Sequence, residues 1–304
     1  MDTDLKGEIC ALAAALTWAT ALVLFKRSGE RVPPLPLNLF KNVTALILLV
    51  VTLALMGEGM DELRKFAVSD MVILSLSGFL GIAVADTTFF YALNLIGVGL
   101  VTIAECLYSP LIILFSILLL SESLTVPQIV GTVMILAAVY VSSKHDPPAN
   151  RTKGQLVLGM FLGAISMALM AFGIVIAKPV LTGSEFPLIW AAFLRLLAGT
   201  ATLAVVVAAS PKRKEFFSVF KPSRIWRYSV PASVLGAYLA MIFWIAGFKY
   251  TKASTAGILN QTSVVFALIL ATVILKEPFT RRKLWSVILA MAGVLLITFW
   301  NSEA

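Results

Sequence analysis

Charge is scarce in this chain: Asp, Glu, Lys and Arg make up only 13% of its 304 residues, against about 25% in an average soluble domain. Histidine occurs once, at position 145, and cysteine twice, at positions 10 and 106. His145 falls in an expected loop, which argues against a histidine metal centre or a histidine base inside the bilayer. Both cysteines sit in apolar runs, so no disulfide framework is implied. A Walker A pattern is missing, which argues against ATP-driven work by this chain alone. No cofactor is called for. The amino terminus opens on Met1-Asp2-Thr3-Asp4 rather than on a basic stretch, so a cleavable signal peptide is not expected.

Apolar sequence is what the chain has in plenty. Hydrophobic residues make up 60% of it and the mean hydropathy is +0.96. A soluble globule or a disordered chain is thereby excluded, and an integral membrane protein is implied. A spanning helix takes about 20 apolar residues. The apolar runs predict spans at roughly 7–26, 36–56, 70–94, 99–120 and 126–143, then 154–178, 187–209, 229–248, 254–275 and 284–300. Punctuation between them includes Val32-Pro33-Pro34, Asp146-Pro147-Pro148 and Ser210-Pro211-Lys212-Arg213-Lys214. Ten spans and their short connections leave no room for a second folded domain. The net charge of +8 sits mainly in those connections, where it sets orientation, so no nucleic-acid partner is expected.

The two halves resemble one another. An offset of 155 places Glu122 on Glu277, Thr125 on Thr280 and Gly81 on Gly236, and an offset of 154 places Lys41 on Arg195. Matches among Leu, Val and Ala mean little, so the polar pairs carry the comparison. Residues 1–145 and 150–304 are therefore read as two five-helix repeats. Five is an odd number, so the second repeat enters the membrane from the opposite face. Inverted repeats of this kind build many secondary transporters, with a site near the midplane. The expected fold is all-α, ten transmembrane helices in two inverted five-helix repeats.

Pro110 is followed twelve residues on by Glu122-Ser123-Leu124-Thr125, then by Gln128 and Gly131, and the second copy reads Glu277-Pro278-Phe279-Thr280 with Gly293. This pattern resembles the drug/metabolite transporter superfamily in its ten-helix EamA-type branch. Val265 stands where Pro110 would repeat, and Ser286 where Gly131 would. The resemblance implies alternating access to a central cavity for a small organic solute. It leaves the substrate open among amino acids, sugars, amines and nucleotide sugars. Locally, Thr125 and Gln128 make a capping-box pattern, and a carboxylate beside a helix start is favoured by the dipole. A structural role is therefore expected for Glu122 and Glu277.

Ionisable groups inside spans cost about 2.5–3.5 kcal/mol or more, which makes each a functional candidate. Glu105 lies in the fourth span beside Cys106, and its repeat mate is Asn260, followed by Gln261. These would bring polar groups from both halves into one cavity, where Glu105 could exchange a proton or hold a cationic amine. The plainer reading is a protonated Glu bonded to a neighbouring helix. Asp86 is mid-span in the third helix and its mate is Met241, an asymmetry that suits a substrate or proton contact. Lys41 and Arg195 could snorkel, pair with Asp86 or Glu105, or meet a substrate carboxylate. Trp18, Phe90, Tyr91, Tyr108, Trp190 and Trp244 lie on helices expected to line the cavity and would together suit a cation or an amphipathic solute. Gly159 and Gly163 form a GxxxG, read as a close-packing face.

Sixteen basic residues lie in loops 1–2, 5–6, 7–8 and 9–10, and six lie in the amino terminus and the loops of the other face. The positive-inside rule then places both termini outside, whereas the family resemblance implies both cytoplasmic. The sequence predicts a non-enzymatic secondary transporter of the cell (inner) membrane, exporting a small amino-acid- or amine-class metabolite. Its site residues would be Glu105, Asn260, Asp86, Trp18, Tyr91, Tyr108, Trp244 and Gln261, with Lys41 and Arg195 as structural or substrate-binding charges. A proton or another ion is the expected coupling partner, and a monomer suffices. The alternative is an intramembrane lipid-modifying enzyme that uses Asp86 and Glu105 as an acid/base pair.

Overall fold

A computed structural model describes residues 3–63, 67–120, 126, 129–131, 133–134, 137–138, 152–183, 187–251, 253–278 and 280–300. Among these residues the chain is helical, with no strand. Backbone N–H and C=O groups cannot be left bare in a bilayer, and helices satisfy them within one segment. The main helices are α1 (Thr3–Gly29), α2 (Pro34–Met56), α3 (Val68–Glu105), α4 (Tyr108–Leu120), α5 (Lys153–Gly183), α6 (Leu188–Ala209), α7 (Trp226–Tyr250), α8 (Ala253–Asn260), α9 (Thr262–Leu275) and α10 (Arg281–Trp300). Six of them are long and apolar enough to cross a membrane, and Tyr108–Leu120, Thr262–Leu275 and Leu284–Gly293 are shorter apolar helices. Of the expected span 126–143, only eight positions are described, and those are helical. Glu122, Thr125, Gln128 and His145 lie outside the described residues.

Helix ends follow local chemistry. Pro34 sits in the first turn of α2, where its missing N–H costs nothing. Gly57 closes the same helix in the left-handed region at φ 71°. A capping box starts α5: Gln155 N donates to Thr152 Oγ1 at 3.2 Å and Thr152 N donates to Gln155 Oε1 at 3.0 Å.

The third and fourth expected spans differ from their sequence boundaries. Helical hydrogen bonding continues past Asn94, but Gly97 turns the chain at φ 78°, ψ 174°, a region essentially restricted to glycine. A short helix, 98–105, then runs to a second break at Cys106–Leu107. Pro110 accounts for that break, because it cannot donate to the Cys106 carbonyl and its ring crowds that oxygen. In the second half the helix breaks at Gln261, 155 positions after Cys106, although Val265 replaces the proline. The helices also widen to π turns over Phe79–Ala85 and Val234–Leu239, again 155 apart at their starts.

Packing runs across the two halves: α1 lies along α7, α8 and α9, the second part of α3 lies along α5, and α2 lies against α6. The small residues of the GxxxG make the α3–α5 approach possible. A Cβ at Gly163 would stand 2.9 Å from the Ala104 methyl, and one at Gly159 would strike Ile96. Large apolar side chains face outward along the bundle, among them Leu55, Val205 and Val273, as lipid-facing surfaces do.

Candidate functional site

A cavity of about 120 Å³ lies in the middle of the bundle, lined from both halves. α1 contributes Trp18, α2 Lys41, α3 Gly81, Asp86 and Glu105, and α4 Tyr108. From the second half come Met167, Arg195, Gly236, Trp244, Asn260 and Gln261. Trp18, Lys41, Asp86, Glu105, Tyr108, Arg195, Trp244, Asn260 and Gln261 are thus brought together. Tyr91 is not: it is 46% exposed on the outer side of α3. Trp190 is buried elsewhere, edge-on to Phe193 with ring centroids 5.4 Å apart. Phe90 packs behind the cavity wall, against Phe25 at 5.1 Å.

Lys41 and Asp86 form a buried ion pair, with Nζ and Oδ2 2.6 Å apart. A polar chain stands behind it. Lys41 Nζ also donates to Asn42 Oδ1 at 3.1 Å, Asn42 Nδ2 to Asn38 Oδ1 at 3.0 Å, and Asn38 Nδ2 to Thr87 Oγ1 at 2.8 Å and the Ile82 carbonyl at 2.9 Å. Asn38, Lys41 and Asn42 share one face of α2 by their i, i+3, i+4 spacing. That spacing was visible in the sequence, yet only Lys41 drew notice from it.

Arg195 is 1% exposed and has no carboxylate within ion-pair distance among the described residues. Its guanidinium donates to Ser77 Oγ, which in turn donates to the Gly173 carbonyl. It also sits 5.2 Å from the Trp244 ring, held against the aromatic face. Its Nε is buried without a hydrogen-bond partner. Ser77 escaped the sequence reading because nothing about a lone serine in an apolar run singles it out.

Glu105 ends the short helix 98–105. Trp18 Nε1 donates to its Oε1 at 2.9 Å, while its Oε2 is buried with no partner. Gln261 Nε2 reaches the backbone carbonyl of Glu105 at 3.0 Å, so the side chain at one helix break binds the backbone at the other. Asn260 Nδ2 is likewise buried without a partner. One acceptor, two donors and the Tyr108 hydroxyl, which can act as either, are thus left open on cavity-lining residues, and an unmet buried polar group costs about 1–3 kcal/mol. A bound solute with donor and acceptor groups would satisfy them.

Glu277 has the structural role expected of it, but at a helix start in the other half of the chain. It accepts from Val98 N at 3.0 Å and Gly99 N at 2.9 Å, capping across the molecule the short helix that ends in Glu105. Two lysines make matching contacts at helix ends: Lys26 Nζ donates to the Leu93 carbonyl at 3.0 Å, and Lys178 Nζ to the Phe248 carbonyl at 2.6 Å. Leu93 and Phe248 are 155 positions apart.

Comparison with known proteins gives a consistent picture. The model of the EamA-like transporter family matches twice, over residues 5–144 and 157–299. The chain is 23% identical over 297 residues to an uncharacterized transporter of Archaeoglobus fulgidus, covering 95% of this chain and 96% of that one. It is 25% identical over 251 residues to an uncharacterized transporter of Methanothermobacter thermautotrophicus, covering 81% and 69%. It is 24% identical over 281 residues to the uncharacterized transporter YetK of Bacillus subtilis, covering 90% and 81%. A solved protein structure superimposes with TM-score 0.73 at 20% identity, covering 98% of both chains, a likeness of fold.

Proposed function

The chain belongs to the EamA-like transporter family and is a multi-pass membrane protein, and from that premise we propose that it exports a small polar or amphipathic metabolite of the amino-acid or amine class by alternating access. The observation that carries this reading is the cavity lined from both halves, where Glu105 Oε2, Asn260 Nδ2 and Arg195 Nε are buried and unpartnered. A cationic group would sit on Glu105 and an anionic one on Arg195, with Trp18, Tyr108 and Trp244 covering the apolar part.

Two five-helix repeats of opposite orientation fit the recurrences at an offset of 155. These are the π turns, the helix breaks at Cys106 and Gln261, and the lysine contacts at Leu93 and Phe248. The twofold match of the family model supports the same division. Helices broken at the midplane are a transporter device, because freed backbone groups there can bind solute or ions. The density of basic residues in the 212–227 loop favours a cytoplasmic place for that loop, with both termini outside. The enzyme alternative would need Asp86 free to act with Glu105, and the Lys41 ammonium 2.6 Å from its Oδ2 argues against that.

The test is thermal stability of the purified protein in detergent against amino acids, amines, sugars and nucleotides, followed by flux of any stabilising solute in proteoliposomes. A ligand at 100 times its dissociation constant stabilises by about 2.7 kcal/mol. Stabilisation by amino acids or amines that is lost in Glu105→Gln is the expected outcome. Stabilisation by sugars or nucleotides alone would overturn the substrate class. Unchanged flux in Glu105→Ala and Asp86→Ala would overturn the site.

A further inference from the structure

The connection between α6 and α7, together with the first turn of α7, carries six cations, Lys212, Arg213, Lys214, Lys221, Arg224 and Arg227, against one carboxylate, Glu215. All seven side chains are exposed, and among the described residues none of the six cations is in an ion pair. A loop that only fixed orientation would need no structure, but this one is folded. Phe216 N donates to the Lys212 carbonyl at 2.9 Å, Lys221 N to the Ser218 carbonyl at 3.0 Å and Trp226 N to the Ser223 carbonyl at 3.0 Å. The Trp226 indole N–H closes the segment on the Val219 carbonyl at 3.0 Å.

Aromatic pins fasten it to the bundle. Phe40 of α2 packs against Phe220 at 5.6 Å and Trp226 at 5.4 Å, and Phe216 and Phe220 lie against Leu39 of α2 and Leu203 and Val207 of α6. The six charges therefore stand at set positions on the flank of the bundle. Phe217 remains 43% exposed among them. Just below, Val205 and Val206 of α6 are 69% and 48% exposed. Val206 lies three residues before the helix end at Ala209, about 4.5 Å at the helical rise, so these side chains stand close beneath the basic segment.

We propose that residues 212–227 form a docking site for the headgroups of anionic phospholipids, the cations meeting the phosphates, Phe217 inserted at the acyl boundary and Val205 and Val206 against the chains. Clusters of four to eight basic residues beside a transmembrane helix attract anionic lipid, and here the cluster is preformed. Its pin Phe40 precedes Lys41, so an occupied platform braces the turn of α2 that holds the cavity ion pair. The proposal does not depend on which solute is transported.

Native mass spectrometry of the full chain in detergent, titrated with phosphatidylglycerol or with phosphatidylcholine of the same acyl chains, tests it. Retention in detergent is indifferent to orientation, so it reads the attachment of lipid to these side chains and not the insertion of the loop. The wild type should retain phosphatidylglycerol preferentially. Each cation near an anionic surface strengthens attachment roughly fivefold, so K212Q/R213Q/K214Q should weaken it at least about tenfold. K221Q/R224Q, on the other arm of the platform, should weaken it as well and serves if the triple variant does not fold. Phe217→Ser should weaken phosphatidylglycerol without altering displacement by inorganic phosphate. Equal retention of the two lipids, or undiminished phosphatidylglycerol in both charge variants, would overturn the proposal. Complete displacement by inorganic phosphate together with no effect of Phe217→Ser would overturn it too, and would assign the platform to a soluble anion.

Discussion

Substituting Glu277 by Gln perturbs one carboxylate that joins two distant parts of the chain. The αL turn at Lys276, φ 57°, delivers Glu277 to the start of the helix 98–105. There each carboxylate oxygen accepts one backbone N–H, at 3.0 Å and 2.9 Å. Hydrogen bonds to a charged group are worth about 1.5–3 kcal/mol each, and the helix dipole adds to the preference for negative charge. Glutamine keeps one acceptor but turns an NH₂ donor toward the second N–H, so one bond is lost and the other loses its charge. Since Glu277 is half-exposed, the lower end applies, and a net loss of about 2 kcal/mol is expected. At about 2–4 °C per kcal/mol, the melting temperature in detergent should fall by roughly 4–8 °C. The helix so released carries Glu105 at its other end, so solute-induced stabilisation should weaken as well. Glu277→Gln with unchanged melting would refute the reasoning, because it would mean that the carboxylate is not holding those N–H groups. A cycle with Gly97→Ala sharpens the test, since neighbours in contact should not add.

Gly97→Ala alone should be destabilising, by about 1–3 kcal/mol for a non-glycine in that backbone region, and its Cβ would stand 3.0 Å from Glu277 Oε1; lower melting and reduced purified yield are the readouts. Asp86→Ala leaves the Lys41 ammonium buried without its partner and should cost about 3–5 kcal/mol, whereas Lys41→Met with Asp86→Leu should recover most of that loss; comparing folded yields after detergent extraction separates the two. Asn260→Leu removes a buried amide whose Nδ2 has no partner, so it should leave the melting of the empty protein unchanged or raised. The same variant should lose solute stabilisation, and a fall in both would mean that Asn260 is structural. Ser77→Ala deprives the Arg195 guanidinium of an acceptor and should lower melting by about 1–3 kcal/mol equivalent.

Much of the architecture was legible because bilayer physics leaves few options for long apolar runs. Lys41, Asp86 and Glu105 stood out for the same reason, since a charge inside such a run must be used or neutralised. The helix breaks at Gly97 and Gln261 were harder. Hydropathy registers how apolar a segment is, not whether its hydrogen bonding pauses for one turn, and a glycine or glutamine in a run has many bland explanations.

Sequence by itself determined that the chain is a multi-pass helical membrane protein with polar groups placed where a bilayer penalises them. Tertiary structure decided the partners. It joined Lys41 to Asp86 and left Arg195 to Ser77 and Trp244, placed Tyr91 outside the cavity, and sent Glu277 to the backbone at Val98 and Gly99. The reason is geometric. Burial cost depends on what a segment is made of and can be read locally, whereas a hydrogen bond depends on distance and direction between groups far apart in sequence, which only the packed helices supply.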